Sequence, residues 1–115
     1  MAVRAPSKPW SEKSTLEAEL ALQIRGAKLP EPKRWHRFHP TRKWEFDFAF
    51  PEQKVAVEVQ GAIWTNGRHN RGKGMESDYE KGAEAMLMGW RVLWVTASTI
   101  RSGRALQYLE KLLES

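Results

Sequence analysis

Hydrophobic and polar positions alternate in two short runs between Trp44 and Gln60, and the segment WEFDFAFPEQKVAVEVQG (residues 44–61) predicts a β-hairpin. Trp44, Phe46, Phe48 and Phe50 fall on one face of the first strand, with Glu45, Asp47 and Ala49 on the other. In the second strand Val55, Val57 and Val59 oppose Ala56, Glu58 and Gln60. Pro51 suits the bend because it fixes φ and has no N–H for a ladder. With Glu52 and Gln53 at the centre of the turn, Asp47 faces Glu58, Glu45 faces Gln60, and the aromatic face meets the valine face. Two carboxylates and an amide then share one sheet face.

The remaining pattern places this hairpin in a larger order. Leu16, Leu20 and Ile24 form a stripe at helical spacing within residues 11–28. Ser11 or Ser14 could cap that helix, Ser14 with Glu17 in the capping-box pattern. Residues 30–43 form a Pro-bounded connection with a short strand around Arg34–His39. Residues 61–74 form a Gly-rich cationic loop, and a second helix occupies 75–89, starting near Ser77, with Met75, Tyr79, Met86 and Leu87 as core. The run at 90–96 is almost continuously apolar and predicts a buried strand. A closing helix over 98–114 carries the stripe Leu106, Leu109, Leu112 and Leu113, which packs on the sheet or serves a partner. Residues 1–10 lack periodicity and are expected to be a flexible arm on a single domain spanning 11–115. The order helix, three strands, helix, strand, helix defines an α/β fold. Its crossover helix makes the flanking strands parallel, so the sheet is mixed and has helices on both sides.

Composition narrows the chemistry. The absence of cysteine excludes disulfides, thiolate zinc sites and cysteine nucleophiles. No apolar run reaches membrane-spanning length and no hydrophobic signal region opens the chain, so a cytoplasmic location away from membranes is expected. A net charge of +5 points to a polyanionic partner, nucleic acid in particular. Arg34, Arg37, Arg42 and Lys43 cluster with rings in the 30–43 segment, and Arg68, His69, Arg71 and Lys73 occupy the Gly-rich loop; these are the candidate DNA-binding residues. That loop lacks the GK[ST] of a Walker motif, which argues against nucleotide hydrolysis by that route.

The acids of the hairpin need an explanation. Asp is a poor strand former, and facing carboxylates repel by about 0.2–1 kcal/mol unless a cation lies between them. A hard divalent ion suits an Asp, a Glu and a strand-end carbonyl. Glu17 and Glu19 on the first helix are further acids. The residues alone leave Glu17 either as a capping partner or as part of the site, and Glu19 either as a solvated acid or as the alternative.

Phe46-Asp47-Phe48, then Val57-Glu58-Val59, then Asp78 to Lys81 ahead of Gly89-Trp90-Arg91-Val92-Leu93, form an ordered set. From about Ser11 onward the chain resembles the PD-(D/E)XK nuclease superfamily. Within it the chain is most similar to the small archaeal-type Holliday junction resolvases and the very-short-patch-repair-like endonucleases. The resemblance implies a restriction-endonuclease-like core of αβββαβα order. It implies a Mg²⁺ ion, replaceable by Mn²⁺, held by Asp47, Glu58 and the carbonyl of Val59. Glu17 matches the first-helix acid, with Glu19 as fallback. Gln60 stands where the superfamily usually has lysine, and Lys81 is a candidate substitute. The implied catalytic set is Glu17, Asp47, Glu58 and Gln60, acting through a metal-activated water. The implied substrate is DNA, above all a four-way junction cut by a homodimer. A strand-nicking repair-type endonuclease and a degenerate nucleic-acid binder are the alternatives.

Overall fold

The computed structural model describes residues 11–61 and 71–115, with the side chains of 71–75 outside the description. The elements are α1 (Glu12–Gly26), β1 (Lys33–Arg37), β2 (Glu45–Phe50), β3 (Val55–Val59), α2 (Arg71–Leu87), β4 (Arg91–Val95), α3 (Ala97–Arg101) and α4 (Arg104–Glu114). The sheet order is β1-β2-β3-β4, antiparallel across the first two pairs and parallel between β3 and β4. This is the expected mixed sheet between two helical layers. Among the described residues no helix is long and apolar enough to cross a membrane.

Local chemistry starts α1. Ser11 caps it, its hydroxyl accepting from the Ser14 N–H at 3.0 Å. Ser14 is therefore not the cap, and Glu17 is not held in a capping box. Leu16, Leu20 and Ile24 are buried as their spacing predicts. The β2–β3 hairpin has the expected register next to its turn, with Phe48 opposite Val57, Ala49 opposite Ala56 and Phe50 opposite Val55. The ladder stops there: the expected Asp47–Glu58 and Glu45–Gln60 pairs do not form, because side chains take the N–H groups of Asp47 and Val59 and Gln60 N–H turns to Val95. Its turn is closed by Gln53 N–H to Phe50 C=O and Lys54 N–H to Pro51 C=O, at 3.1 and 3.2 Å.

The two faces of the sheet carry separate cores. On one, Phe48, Phe50, Val55, Val57 and Val59 meet the buried stripes of α1, α3 and α4. On the other, Phe46, Ala49 and Ala56 meet Ala85 of α2 together with Phe38 and Trp90. Phe46 thus leaves the face it was expected to share with Phe48. Asp47 stands between them: its N–H is taken by the Glu58 side chain, and the β2–β3 ladder runs only over Phe48–Phe50. Trp35, which falls opposite Asp47 in the β1–β2 register, has φ 52°. Phe38, beyond the end of β1 rather than inside it, stacks on the displaced Phe46 at 4.1 Å between centroids.

Other expectations are corrected. Residues 71–74 continue α2 instead of forming loop; Gly72 and Gly74 weaken a helix but keep the N–H groups that proline would remove. The inward stripe of α2 is Lys81, Ala85 and Met88 just past its end, at i, i+4 and i+7. Tyr79, Met86 and Leu87 are accordingly exposed rather than core, and the Met75 side chain lies outside the described residues. β4 pairs with β3 alone among the described strands, which makes it an edge with Trp94 exposed rather than a fully buried strand. The closing helix is two helices, because Gly103 adopts φ 85° and restarts the chain in a new direction. Its leucines settle the earlier alternative: Leu109 is buried, and Leu106, Leu112 and Leu113 pack against the same core.

Candidate active site

Where β2 and β3 diverge, the backbone of Asp47 is bound by side chains. Its N–H donates to Glu58 Oε2 at 2.9 Å, and its carbonyl accepts from Arg34 Nε at 3.3 Å. The Asp47 carboxylate in turn takes the N–H of Val59 on Oδ2 at 2.7 Å. Asp47 and Glu58 thus grip each other's strands, and both are more than nine-tenths buried or at that limit, at 9% and 7% exposure.

α1 adds the third acid. Glu17, 6% exposed, lies over the same end of the sheet. Its Oε1 accepts from Arg34 Nη2 at 2.7 Å and its Oε2 from Lys13 Nζ at 2.7 Å. Lys13 Nζ also donates to Asp47 Oδ1 at 2.6 Å, so one ammonium bridges carboxylates from α1 and β2. Glu19 points elsewhere, onto Arg101 of α3 at 3.0 Å. The structure therefore brings Glu17, and not Glu19, to the hairpin acids.

A second ammonium comes from α2. Lys81 Nζ donates to Glu58 Oε1 and to the carbonyl of Glu45, both at 2.6 Å. Burial raises the pKa of Glu58, and the charge on Asp47 raises it further, while Lys81 and the Asp47 N–H oppose the shift. For Lys13, burial disfavours the charge, but the hydrogen bonds to Asp47 and Glu17 outweigh it and hold its pKa above the ordinary lysine value. Three carboxylates thus face three cations, Lys13, Arg34 and Lys81.

Gln60 follows β3, its N–H donating to the Val95 carbonyl at 2.8 Å and its side chain exposed. With Glu58 and Lys81 it lines an open groove of about 830 Å³ whose apolar wall includes Tyr79, Met86, Trp90 and Trp94. Val59 ends β3 beside Asp47.

The candidate DNA-binding residues separate. Arg34 is drawn into the site and lies over the Phe48 ring at 4.3 Å. Arg37, Arg42 and Lys43 are exposed, Arg42 over Trp44 at 3.9 Å. Arg68 and His69 lie outside the described residues. Arg71 and Lys73 stand in the first turns of α2, their side chains also outside the description.

Sequence reasoning missed Lys13. The available signal was its i, i+4 spacing to Glu17, which places both on one helix face. Nothing in the sequence ties that face to Asp47, 34 positions away.

No known protein family matches the chain. Two uncharacterized proteins, from two strains of Mycobacterium tuberculosis, are each 27% identical to it over 85 residues. The match covers 74% of this chain and 30% of theirs, so the chain spans under a third of the length of these relatives. Among solved structures, the catalytic domain of homing endonuclease I-Bth0305I is similar with a TM-score of 0.64, over 84% of this chain and 91% of that domain, at 20% identity. The likeness defines the fold class: a restriction-endonuclease-like α/β core.

Proposed function

We propose that the chain is a metal-dependent DNA endonuclease domain whose active site is the Glu17, Asp47, Glu58 and Gln60 cluster. The observation that supports this most directly is the convergence of buried carboxylates from α1 and the hairpin on one cation, at 2.6 and 2.7 Å from Lys13 Nζ. Among the described residues no three acidic or histidine side chains surround one point. Asp47 and Glu17 nevertheless offer hard oxygens around a position that already holds positive charge, and this donor set fits Mg²⁺ or Mn²⁺. When bound, such an ion supplies Lewis-acid polarisation of a phosphate and lowers the pKa of a water.

The chain's own groups do the rest. Asp47 and Glu17 would hold the ion, with Glu58 and the Val59 carbonyl as the further ligands that the superfamily resemblance implies. Glu58 is oriented by Lys81 and the Asp47 N–H. Gln60 can donate to a water or phosphate oxygen at the mouth of the groove but brings no charge. Arg37, Arg42 and Lys43 offer exposed cations for neighbouring phosphates, with Arg68, His69, Arg71 and Lys73 as the candidates of the following segment.

The finer reading is a structure-selective enzyme that cuts four-way junctions as a homodimer in DNA recombination and repair. Symmetric nicking of two strands requires two such sites related by a two-fold axis, and a basic surface suits recognition of DNA shape. The greater length of the relatives favours a second reading, a strand-nicking or repair-type catalytic module whose target choice rests on other segments. A catalytically silent DNA binder is the third.

One experiment separates them. The purified protein is incubated with a synthetic four-way junction or a linear duplex of the same arms, in Mg²⁺ or EDTA, with Glu58→Gln as control. Paired symmetric nicks on the junction alone support the resolvase. Cleavage of linear or mismatched duplex supports the second reading. Binding without metal-dependent cleavage leaves only the third.

A further inference from the structure

We infer that Lys13 is the exchangeable cation of this site: it fills the metal position in the metal-free chain and passes to the substrate phosphate when a divalent ion enters. The inference rests on the metal-dependent reading above.

Three observations carry it. First, Lys13 Nζ occupies the point where Asp47 Oδ1 and Glu17 Oε2 converge. A divalent ion and an ammonium at that point would repel strongly, and the carboxylates gain nothing from holding both. The two cations exclude each other. Second, the two lysines of the site differ in freedom. Lys81 is 14% exposed and fixed by a carboxylate and a backbone carbonyl, whereas Lys13 is 44% exposed and, among the described residues, is held by carboxylates. Lys81 is thus the fixed counter-ion of Glu58, and Lys13 the cation able to turn outward along its flexible stem. Third, the first turn of α1 lies against the residue that follows Gln60. A Cβ placed on Gly61 would come within 3.1 Å of Lys13 Cβ and 3.3 Å of its Cα and N. Lys13 therefore stands beside the end of β3, next to the position where glutamine leaves the site without a lysine. A side chain at position 61 would crowd this approach.

The two roles predict opposite effects of one substitution. Lys13→Met removes the internal competitor, so the fraction of chains with an open metal position rises and the apparent affinity for metal rises with it. The same change removes the charge facing the phosphate, so turnover falls. A merely structural role would weaken both.

The test is a Mn²⁺ titration followed by electron paramagnetic resonance of the free ion, on wild type, Lys13→Met and Asp47→Asn, with cleavage of a DNA duplex and junction measured at saturating Mn²⁺. Lys13→Gln, which keeps hydrogen bonds to the carboxylates without the charge, is measured alongside in case the methionine variant does not fold. The expected result is Mn²⁺ affinity about tenfold tighter in the Lys13 variants, cleavage reduced at least about tenfold at saturation, and Mn²⁺ binding lost in Asp47→Asn. Wild-type binding that is not tightened by either Lys13 variant overturns the exchange but leaves the metal site standing. Tightened binding with wild-type cleavage overturns the contact with phosphate. No Mn²⁺ binding by any form overturns both this inference and the metal-dependent reading.

Discussion

Asp47 and Glu58 each satisfy a backbone donor on the other's strand: Glu58 Oε2 accepts the N–H of Asp47 and Asp47 Oδ2 accepts the N–H of Val59, at 2.9 and 2.7 Å. The acids of the candidate site are therefore also parts of the hairpin. An alanine at either position removes chemistry and structure together.

This separates two substitutions at position 47. Asp47→Ala leaves the buried Val59 N–H without its acceptor, which costs about 1–3 kcal/mol. Asp47→Asn keeps an oxygen for that N–H and is expected to be the milder change in a urea unfolding experiment. Both should abolish metal-dependent cleavage and leave DNA binding. Cleavage by folded Asp47→Asn at the wild-type rate would remove Asp47 from the active site.

Glu17 and Glu19 lie two residues apart but in different environments. Glu17 bonds to Arg34 and Lys13 beneath the helix, while Glu19 pairs with Arg101 at the surface. Glu17→Gln is expected to lower cleavage by at least about a hundredfold, the usual scale for a positioned catalytic group. It should also destabilise the fold, since Arg34 loses a buried carboxylate. Glu19→Gln should leave both properties near wild type. Equal losses from the two substitutions, read by initial cleavage rates, would show that burial at the sheet end does not select the active-site acid.

The hairpin was legible in the sequence because a period of two, a fixed turn and two complementary faces admit a single register. What could not be read were departures from that period. Phe46 and Phe48 share a parity but not a face: between them side chains serve both backbone groups of Asp47, and Trp35 across the ladder is left-handed. Tyr79 and Met86 look like core residues, yet the face of α2 is set by Lys81 reaching Glu58 and by Ala85 in the second core, neither of which has an apolar signature strong enough to compete. The Ser102–Gly103 break is written in the chain as a turn dipeptide, but the leucine stripe lies wholly beyond it and does not mark where that helix begins. Lys13 was illegible for another reason: a lysine's role depends on which acids the fold brings to it.

The exposed cations at the β1 edge make a prediction about salt. Arg34 is held by Glu17 and Asp47, whereas Arg37 and Lys43 are open to solvent. If Arg37 and Lys43 each contact one phosphate, the double substitution Arg37→Ala, Lys43→Ala should flatten the slope of log K against log salt by about 0.9 per contact on duplex DNA. Fluorescence anisotropy across a salt series measures this directly. An unchanged slope would place the DNA on another face of the molecule.

Glu58 should titrate above an ordinary glutamate, mainly because it is buried and secondarily because Asp47 is charged beside it. Removing the neighbouring charge with Asp47→Asn should move its titration down, and removing the opposing ammonium with Lys81→Met should move it up. Carboxyl carbon NMR of selectively labelled glutamate reads both shifts. The sign for stability follows from proton binding. Between the ordinary glutamate pKa and the raised value, the folded chain binds more protons at Glu58 than the unfolded chain does. The contribution of Glu58 is therefore fully present below that window and is lost as pH rises through it, by about 1.4 kcal/mol per pKa unit. Urea midpoints across pH, compared between wild type and Glu58→Gln, isolate this contribution. If Glu58 serves as a metal ligand, as proposed, it acts in its ionised form, and the acidic limb of the rate profile should lie correspondingly high. A Glu58 that titrates at or below the ordinary value would mean that Lys81 and the Asp47 N–H, not desolvation, dominate this carboxylate.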